Sequence, residues 1–247
     1  MEIKGKVALI TGGGTGLGRE IARQLAREGM LVAVNYSRSK EDADDTVKEL
    51  SELGVQARAV QADVGKSEDV KRMLSEVAEG FGRLDLLINN AGTTKFVPFA
   101  DLDGLQEEDW DNILNINTKA PFFVSREAAP LMRQNGGGQI INTASIAGLR
   151  PSGSSLAYSV SKAAMIHLTR GLALALAPDI KVNAVAPGLL ITRWGALHSE
   201  EAIQRMTQAA PLKRVASLED TAAAYVMLAR NDSLTGQVIT IDAGQSL

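Results

Sequence analysis

The sequence predicts a single α/β domain in which a parallel sheet of seven strands is covered by helices on both faces. Its 247 residues suit one domain of ordinary size. The 45% apolar and 22% charged content is that of a globular chain. Short apolar runs alternate with longer amphipathic stretches, the pattern of repeated strand and helix units. Since no linker or internal repeat interrupts this pattern, one domain spanning 1–247 is expected.

Seven apolar runs are predicted to be strands. They are rich in Val, Ile and Leu and lack alternating polar residues, which indicates strands that are buried on both faces of a doubly wound sheet. The runs are 7–11, 31–35, 57–61, 84–89, 139–144, 181–186 and 237–241.

Six amphipathic stretches between these runs are predicted to be helices because their apolar residues recur with helical spacing. They are 17–27, 41–52, 68–79, 107–133, 157–176 and 218–229. One stretch, at about 188–210, follows the sixth strand and breaks the alternation. We expect this apolar stretch to be a mobile lid that folds over a bound substrate.

Composition excludes several classes of function. The chain has no cysteine, which excludes disulfides, thiolate metal sites and cysteine nucleophiles. Its two histidines are too few for a multi-histidine centre, so no metal is expected. A net charge of −3 offers no attraction for nucleic acid or an anionic membrane surface. The first residues contain no apolar run long enough for a signal peptide or a membrane span, so a cytoplasmic location is expected.

A glycine cluster separates the first predicted strand from the first helix. Gly12, Gly16 and Gly18 have the spacing Gly-x-x-x-Gly-x-Gly. Glycine lets the backbone turn tightly and approach a pyrophosphate, which the free amides and the positive dipole end of the helix would bind. The cluster therefore predicts a dinucleotide site on a Rossmann-type sheet, although a plain strand-to-helix turn would explain a glycine cluster taken alone.

The end of the second predicted strand bears on which dinucleotide is bound. About 20 positions after the glycines, an acid selects a free ribose 2′-hydroxyl and an arginine accepts a 2′-phosphate. Tyr36, Ser37 and Arg38 lie there, and no acid is present in 35–40. A guanidinium pairs with a phosphate by charge-assisted hydrogen bonds, so NADP(H) is favoured and NAD(H) remains possible. A solvated loop with ordinary charges is the alternative.

Tyr158 and Lys162 form the most informative pair in the chain. On a helix, positions i and i+4 share one face. At roughly 7 Å and an effective dielectric constant of about 20, the lysine charge favours the phenolate by about 2.4 kcal/mol, or roughly two pKa units. We therefore expect Lys162 to lower the pKa of Tyr158 and make the phenol a general acid or base, most effectively beside an oxidised nicotinamide.

Ser145 and Asn117 complete the candidate catalytic set. Ser145 follows the fifth predicted strand, at the sheet edge where open parallel sheets bind ligands, so its hydroxyl is a candidate to hold a carbonyl oxygen. A helix cap or a turn is the alternative explanation of this serine. Asn117 is a candidate to anchor water that links Lys162 to solvent, and a buried asparagine bonded to the backbone is its alternative.

Together these residues resemble the classical short-chain dehydrogenase/reductase family, in particular its 3-oxoacyl-[acyl-carrier-protein] reductases. The similarity runs over essentially the entire chain. It rests on Thr11-Gly12-x-x-x-Gly16-x-Gly18, Asp63-Val64, Asn89-Asn90-Ala91-Gly92, Asn117, Ser145, Tyr158-x-x-x-Lys162 and Pro187-Gly188, in this order.

The resemblance implies a role for each motif. Tyr158 would exchange the proton, Lys162 would lower its pKa and hold the nicotinamide ribose, Ser145 would orient the substrate oxygen, and Asn117 would support a proton relay. The residues implied to bind the cofactor are Gly12, Gly14, Thr15, Gly16, Leu17, Gly18, Tyr36, Ser37, Arg38, Asp63, Val64, Asn90, Ala91, Gly92, Tyr158, Lys162, Pro187, Gly188 and Thr192.

The implied activity is NAD(P)-dependent hydride transfer between nicotinamide and a carbonyl or secondary alcohol. A ketone or a 3-oxoacyl thioester is the expected substrate, and a sugar or polyol is the alternative. A non-catalytic dinucleotide-binding sensor or structural subunit is a further alternative, disfavoured because the serine, tyrosine and lysine are all present. NADP-using members of the family often have a basic residue where this chain has Thr15, so the NADP(H) preference rests on Ser37 and Arg38. The resemblance also implies a homodimer or homotetramer.

Overall fold

The computed structural model describes residues 2–192 and 199–247. Within these ranges seven strands are present: β1 (Val7–Ile10), β2 (Leu31–Tyr36), β3 (Ala57–Gln61), β4 (Leu86–Asn89), β5 (Gly138–Thr143), β6 (Ile180–Pro187) and β7 (Val238–Ile241). They form one parallel sheet in the order β3-β2-β1-β4-β5-β6-β7. The predicted α/β class and the seven parallel strands are confirmed.

Helices cover both faces of this sheet. They are α1 (Gly16–Arg27), α2 (Lys40–Glu52), α3 (Ser67–Phe81), α4 (Glu107–Leu114), α5 (Ala120–Gln134), α6 (Leu156–Leu176), α7 (Glu200–Ala209) and α8 (Leu218–Arg230). One buried cluster joins α1, α2 and α8 to the sheet, and a second joins α3, α5 and α6 to the opposite face. This double covering explains why the strand sequences lack polar alternation.

The position of the site follows from the strand order. The chain starts at β1, builds β2 and β3 outward on one side, and then returns to add β4 on the other side of β1. In such open parallel sheets a crevice opens beyond the carboxyl ends of the strands where the winding direction reverses, here between β1 and β4.

The predicted helix 107–133 is helical along its whole length, but a π-helical turn separates α4 from α5. Asn115–Lys119 forms a π-helical turn in which the Ala120 amide donates to the Asn115 carbonyl. Pro121 in the first turn of α5 has no N–H to donate. The Asn115 side-chain amide also donates to the Gly65 carbonyl at 3.4 Å. The insertion turns Asn117 inward, where it is fully buried.

The stretch 188–210, predicted to be a lid, contains a helix that the sequence pattern did not indicate. Helix α7 is capped by the Ser199 hydroxyl, which accepts from the Ala202 amide at 3.2 Å. No residue of α7 is buried, and its apolar residues Ile203 and Met206 belong to the apolar stretch that was predicted to be a lid. Residues 193–198 of the predicted lid lie outside the described residues. None of the described helices is long and apolar enough to cross a membrane.

Candidate active site

Six of the seven strands deliver predicted site residues to the same carboxyl edge of the sheet. Gly12, Gly14, Thr15, Gly16, Leu17 and Gly18 follow β1; Tyr36, Ser37 and Arg38 lie at the end of β2; Asp63 and Val64 follow β3; Asn90, Ala91 and Gly92 follow β4; Ser145 follows β5; Pro187, Gly188 and Thr192 lie at the end of β6. Tyr158 and Lys162 are on α6, and Asn117 is in the π-helical turn.

The ends of β1 and β4 are tied together by side chains. The Thr11 hydroxyl accepts hydrogen bonds from the Asn90 and Ala91 amides at 2.9 and 3.0 Å. In return, the Asn90 side-chain amide donates to the carbonyls of Thr11 and Gly12 at 3.1 and 3.2 Å. These bonds fix the glycine loop against the exit of β4.

The glycine loop has a shape that fits a pyrophosphate. Gly12 and Gly16 have φ of +62° and +50°, a region that favours glycine. A Cβ on Gly18 would lie 2.2 Å from the Gly12 carbonyl oxygen, so any side chain there would collide with the loop. Thr15 at the start of α1 makes no side-chain capping bond, which leaves first-turn amides available to an anion.

The end of β2 is held beside this loop. The Gly12 amide donates to the Asn35 side chain at 3.2 Å, and the Gly13 amide donates to the Asn35 carbonyl at 2.9 Å. Tyr36 is buried, whereas Ser37 and Arg38 are exposed. Arg38 forms no ion pair with any described residue, and its guanidinium is accessible to an anion.

The turn after β3 and the exit of β6 border the same crevice. The Asp63 carboxylate accepts from the Gly65 amide at 3.0 Å, and Val64 is buried. A Cβ on Gly16 would lie 3.3 Å from the Thr192 methyl group, so the segment after β6 reaches the glycine loop. The Gly188 amide donates to the Ile241 carbonyl at 2.9 Å, which anchors the start of that segment.

Ser145, Tyr158 and Lys162 meet at the exit of β5. Ser145 begins a short 3₁₀ turn, Ile146–Gly148, and its hydroxyl accepts from the Ala147 amide at 3.1 Å. A side-chain hydrogen bond joins Ser145 to the Tyr158 phenol. The ammonium nitrogen of Lys162 lies 5.6 Å from the centroid of the Tyr158 ring. The helix pairing predicted from the spacing of Tyr158 and Lys162 is therefore present.

Burial controls the electrostatics of this group. Lys162 is only 4% exposed, and desolvation lowers its pKa to about 8. Its ammonium donates to the Thr143 carbonyl at 2.7 Å. Burial raises the pKa of Tyr158, an effect that the hydrogen bond from Ser145 opposes.

The expectation that Lys162 lowers the pKa of Tyr158 is wrong for the protein chain alone. Lys162 loses its proton near pH 8, before the phenol ionises, and a neutral amine exerts no net charge on the phenolate. The simple charge calculation also left out the cost of taking the phenolate out of water.

Asn117 is bonded to main chain and to a serine. Its side-chain oxygen accepts from the Thr93 amide at 2.8 Å, and its amide donates to the Thr93 carbonyl at 2.9 Å and to Ser161 at 3.0 Å. The Ser161 hydroxyl in turn donates to the Tyr158 carbonyl at 2.7 Å. The side chain thus links the segment after β4 to α6, which is the alternative weighed for this residue, and its part in a proton relay stays a prediction.

Two residues near Lys162 were missed by sequence reasoning. The Thr143 hydroxyl lies 2.7 Å from the Tyr225 hydroxyl, and Tyr225 is fully buried under the opposite face of the sheet. Tyr225 occupies a core position of a predicted helix and Thr143 a strand end, so neither carried a motif. Within residues 2–192 and 199–247, no group of three or more His, Asp or Glu side chains is placed to hold a metal ion.

Comparison with known proteins gives consistent matches along the chain. The sequence model of the family described as short chain dehydrogenase matches residues 6–202. A 3-oxoacyl-[acyl-carrier-protein] reductase of Staphylococcus epidermidis is 39% identical over 242 residues, which cover 97% of this chain and 98% of that protein.

Solved structures agree with these matches. An NADPH-dependent 3-quinuclidinone reductase of Rhodotorula rubra superposes with a TM-score of 0.91 and 32% identity, covering 99% of this chain and 92% of that chain. A variant of the actinorhodin polyketide ketoreductase with NADPH gives a TM-score of 0.91 and 32% identity, covering 98% of this chain and 97% of that chain.

Proposed function

The chain belongs to the short-chain dehydrogenase family and is an NAD(P)-dependent oxidoreductase of carbonyl and alcohol groups; from this premise we propose that it reduces a ketone or 3-oxoacyl group with NADPH. One observation carries the proposal. Ser145, Tyr158 and Lys162 come together at the carboxyl edge of the sheet, beside a glycine loop that fits a pyrophosphate.

Different residues of the crevice would bind different parts of the dinucleotide. The loop from Gly12 to Gly18 and the first turn of α1 would hold the pyrophosphate, and Asp63 and Val64 would contact the adenine. Lys162 would hold the nicotinamide ribose, with Pro187, Gly188 and Thr192 beside the carboxamide. When bound, the reduced nicotinamide supplies the hydride that converts a carbonyl carbon to an alcohol carbon.

A preference for NADP(H) is supported by the end of β2. Ser37 and Arg38 are exposed beside the glycine loop, and no acidic side chain occupies 35–40. A carboxylate in this segment would repel a 2′-phosphate, whereas a guanidinium attracts it. Thr15 contributes no charge, so the proposed preference depends on Arg38 and leaves room for use of NAD(H).

The proposed proton chemistry follows from the hydroxyl pair. The Ser145 hydroxyl donates a hydrogen bond to the substrate oxygen and holds it near the Tyr158 phenol. As the carbonyl carbon is reduced, the Tyr158 hydroxyl gives its proton to that oxygen, so an alcohol forms and a phenolate remains. Lys162, when protonated, stabilises the phenolate until solvent restores the proton. Oxidation of an alcohol uses the same groups in reverse.

The substrate class is proposed from similarity together with this chemistry. The relative named as a 3-oxoacyl-[acyl-carrier-protein] reductase supports a 3-oxoacyl thioester, and the neighbour named as a 3-quinuclidinone reductase supports a ketone. A sugar or polyol is the second candidate because its secondary alcohol has the same reacting group. A cytoplasmic location stays a prediction from the sequence.

We also propose that the protein forms a homodimer or homotetramer. Exposed apolar side chains lie on the outer faces of α5 and α6, with Phe122 40%, Val160 44% and Leu174 84% exposed. Burying such side chains between copies would remove apolar surface from water. Sedimentation should give a mass of two or four chains at micromolar concentration, and a stable monomer would refute the assembly.

A substrate panel tests the proposed function. Ketones, 3-oxoacyl thioesters, sugars and secondary alcohols are assayed with NADPH and with NADH by the absorbance of the reduced nicotinamide. Turnover of a ketone or 3-oxoacyl thioester with higher kcat/KM for NADPH supports the proposal. Binding of dinucleotide without turnover of any compound supports the non-catalytic sensor instead, and preferential turnover of sugars supports the second candidate.

A further inference from the structure

The carbonyl that accepts the hydrogen bond from Lys162 belongs to Thr143, the last residue of β5. Pairing of β4 with β5 ends at Asn142, and Thr143 is paired only with Val185 of β6. The Gln139 amide donates to the Asp85 carbonyl, just before β4, and the Ala144 amide donates to the Val185 carbonyl of β6. Odd-numbered residues of β5 therefore direct their main-chain groups toward β4. Because β4 has already ended, the Thr143 carbonyl lacks a strand partner and accepts from Lys162 instead.

The Thr143 side chain is hydrogen-bonded to α8, which packs on the opposite face of the sheet from α6. Its hydroxyl lies 2.7 Å from the Tyr225 hydroxyl of α8 and donates to the Asn90 side-chain oxygen at 3.4 Å. Either hydroxyl can be the donor in the shorter bond. Tyr225 is fully buried, and burial raises its pKa, so its hydroxyl stays neutral and bonded to Thr143.

We propose that Tyr225 is a positioning residue for Lys162 and acts through Thr143 from the opposite face of the sheet. The inference rests on the proposed function, because it is the Tyr158 and Lys162 pair whose protonation it adjusts. Tyr225 fixes the end of β5, the Thr143 carbonyl is thereby aimed at α6, and the ammonium of Lys162 is kept in place over the Tyr158 ring.

The bond to Thr143 affects protonation as well as position. A carbonyl that accepts from an ammonium favours the charged lysine and opposes the desolvation that lowers the pKa of Lys162. Among the described residues no carboxylate or second cation contacts Lys162, and the titratable group facing it is Tyr158 on its own helix. Loss of the Tyr225 hydroxyl would let the end of β5 shift, weaken the carbonyl bond and lower the pKa of Lys162 further.

The primary test measures Lys162 directly. The protein is labelled with ¹³C at lysine Cε, the Lys162 signal is identified by its absence in Lys162→Met, and it is titrated by NMR. In Tyr225→Phe we expect the pKa of Lys162 to fall by about 0.5 unit. Thr221→Val is the matched control, because it removes a buried hydroxyl of the same helix that, among the described residues, donates only to the Ser217 carbonyl, at 2.7 Å.

Two further variants separate positioning from loss of packing. Thr143→Val breaks the same bond from the other side and should shift the Lys162 titration in the same direction. Thr143→Ser keeps the hydroxyl and should restore the wild-type titration. If the pKa of Lys162 in both Tyr225→Phe and Thr143→Val equals that in Thr221→Val, the proposal is overturned.

Kinetics give an independent measurement of the same effect. With less charge on Lys162 the phenolate is harder to form, so in Tyr225→Phe the acidic limb of kcat, which reports Tyr158, should move to higher pH. The basic limb, which reports loss of the Lys162 proton, should move to lower pH. We expect kcat near neutral pH to fall about fivefold for alcohol oxidation with KM unchanged, whereas a packing defect would lower activity without moving the limbs. A wild-type protein without any turnover would refute the proposed function alone, since the NMR titration still decides the role of Tyr225.

Discussion

The exit of β1 and the exit of β5 serve neighbouring parts of one crevice by different means. At β1 the surface is main chain, and its shape depends on the absence of a Cβ, as the 2.2 Å approach at Gly18 demonstrates. At β5 the proposed chemistry would depend on side chains and on their burial, with Lys162 only 4% exposed. The first region should therefore be sensitive to added volume, and the second to changes in polarity that leave the volume unchanged.

The largest effect is expected from a change of polarity at Tyr158. Tyr158→Phe removes one oxygen, so it should lower kcat about 1,000-fold while the dinucleotide Kd stays within about twofold. Steady-state kinetics on the best carbonyl substrate and fluorescence titration with NADPH measure the two quantities. Retention of full turnover would disprove the acid–base role of this residue.

Added volume at Gly18 should give the opposite pattern. In Gly18→Ala the new Cβ overlaps the Gly12 carbonyl oxygen, and displacement of the loop should raise the dinucleotide Kd about 100-fold. Gly54→Ala is the control, because Gly54 also has a positive φ, of +85°, but nothing lies within 4 Å of its Cβ position. This control should lose stability without losing affinity, and equal affinity loss in both variants would argue against a role of the loop in binding.

The burial of Lys162 should be visible as a pH dependence of stability. Its folded pKa of about 8 lies below the ordinary 10.5, so between these values the unfolded chain binds more protons and stability rises with pH. From pH 7.5 to 9.5 the free energy of unfolding should rise by about 2 kcal/mol more in the wild type than in Lys162→Met. Urea unfolding at each pH measures it, and parallel curves would mean that Lys162 is not desolvated.

The smallest effect is expected at Arg38, which is exposed beside the glycine loop. Arg38→Ala should raise the Kd for NADPH about tenfold, because a charge-assisted bond to the 2′-phosphate is lost, and leave the Kd for NADH unchanged. Lys48→Ala removes an equal charge from an exposed position on α2 and should change neither value by more than about twofold. Equal losses for both cofactors in Arg38→Ala would contradict the assignment.

The features that could be predicted from the sequence depend on local spacing, and the features that were missed depend on contacts between distant residues. The strands, the glycine loop and the pairing of Tyr158 with Lys162 depend on local spacing, which the sequence displays directly. The π-helical turn at Asn115–Lys119 depends on contacts to Gly65 and Thr93 from distant parts of the chain. The raised pKa of Tyr158 depends on how much water the folded chain excludes, and Tyr225 contributes through a contact between two layers. Neither the burial of Tyr158 nor the contact of Tyr225 with Thr143 can be predicted from neighbouring residues in the sequence.

The order β3-β2-β1-β4-β5-β6-β7 also bears on how the molecule is assembled during synthesis. Taken in chain order, every strand after β1 joins an outer edge of the sheet already made, and none has to insert between two paired strands. A chain emerging from the ribosome can thus dock each strand as it appears, beginning with the half that holds the glycine loop. Helix α6, with Tyr158 and Lys162, would then pack against a half of the sheet that already carries the glycine loop.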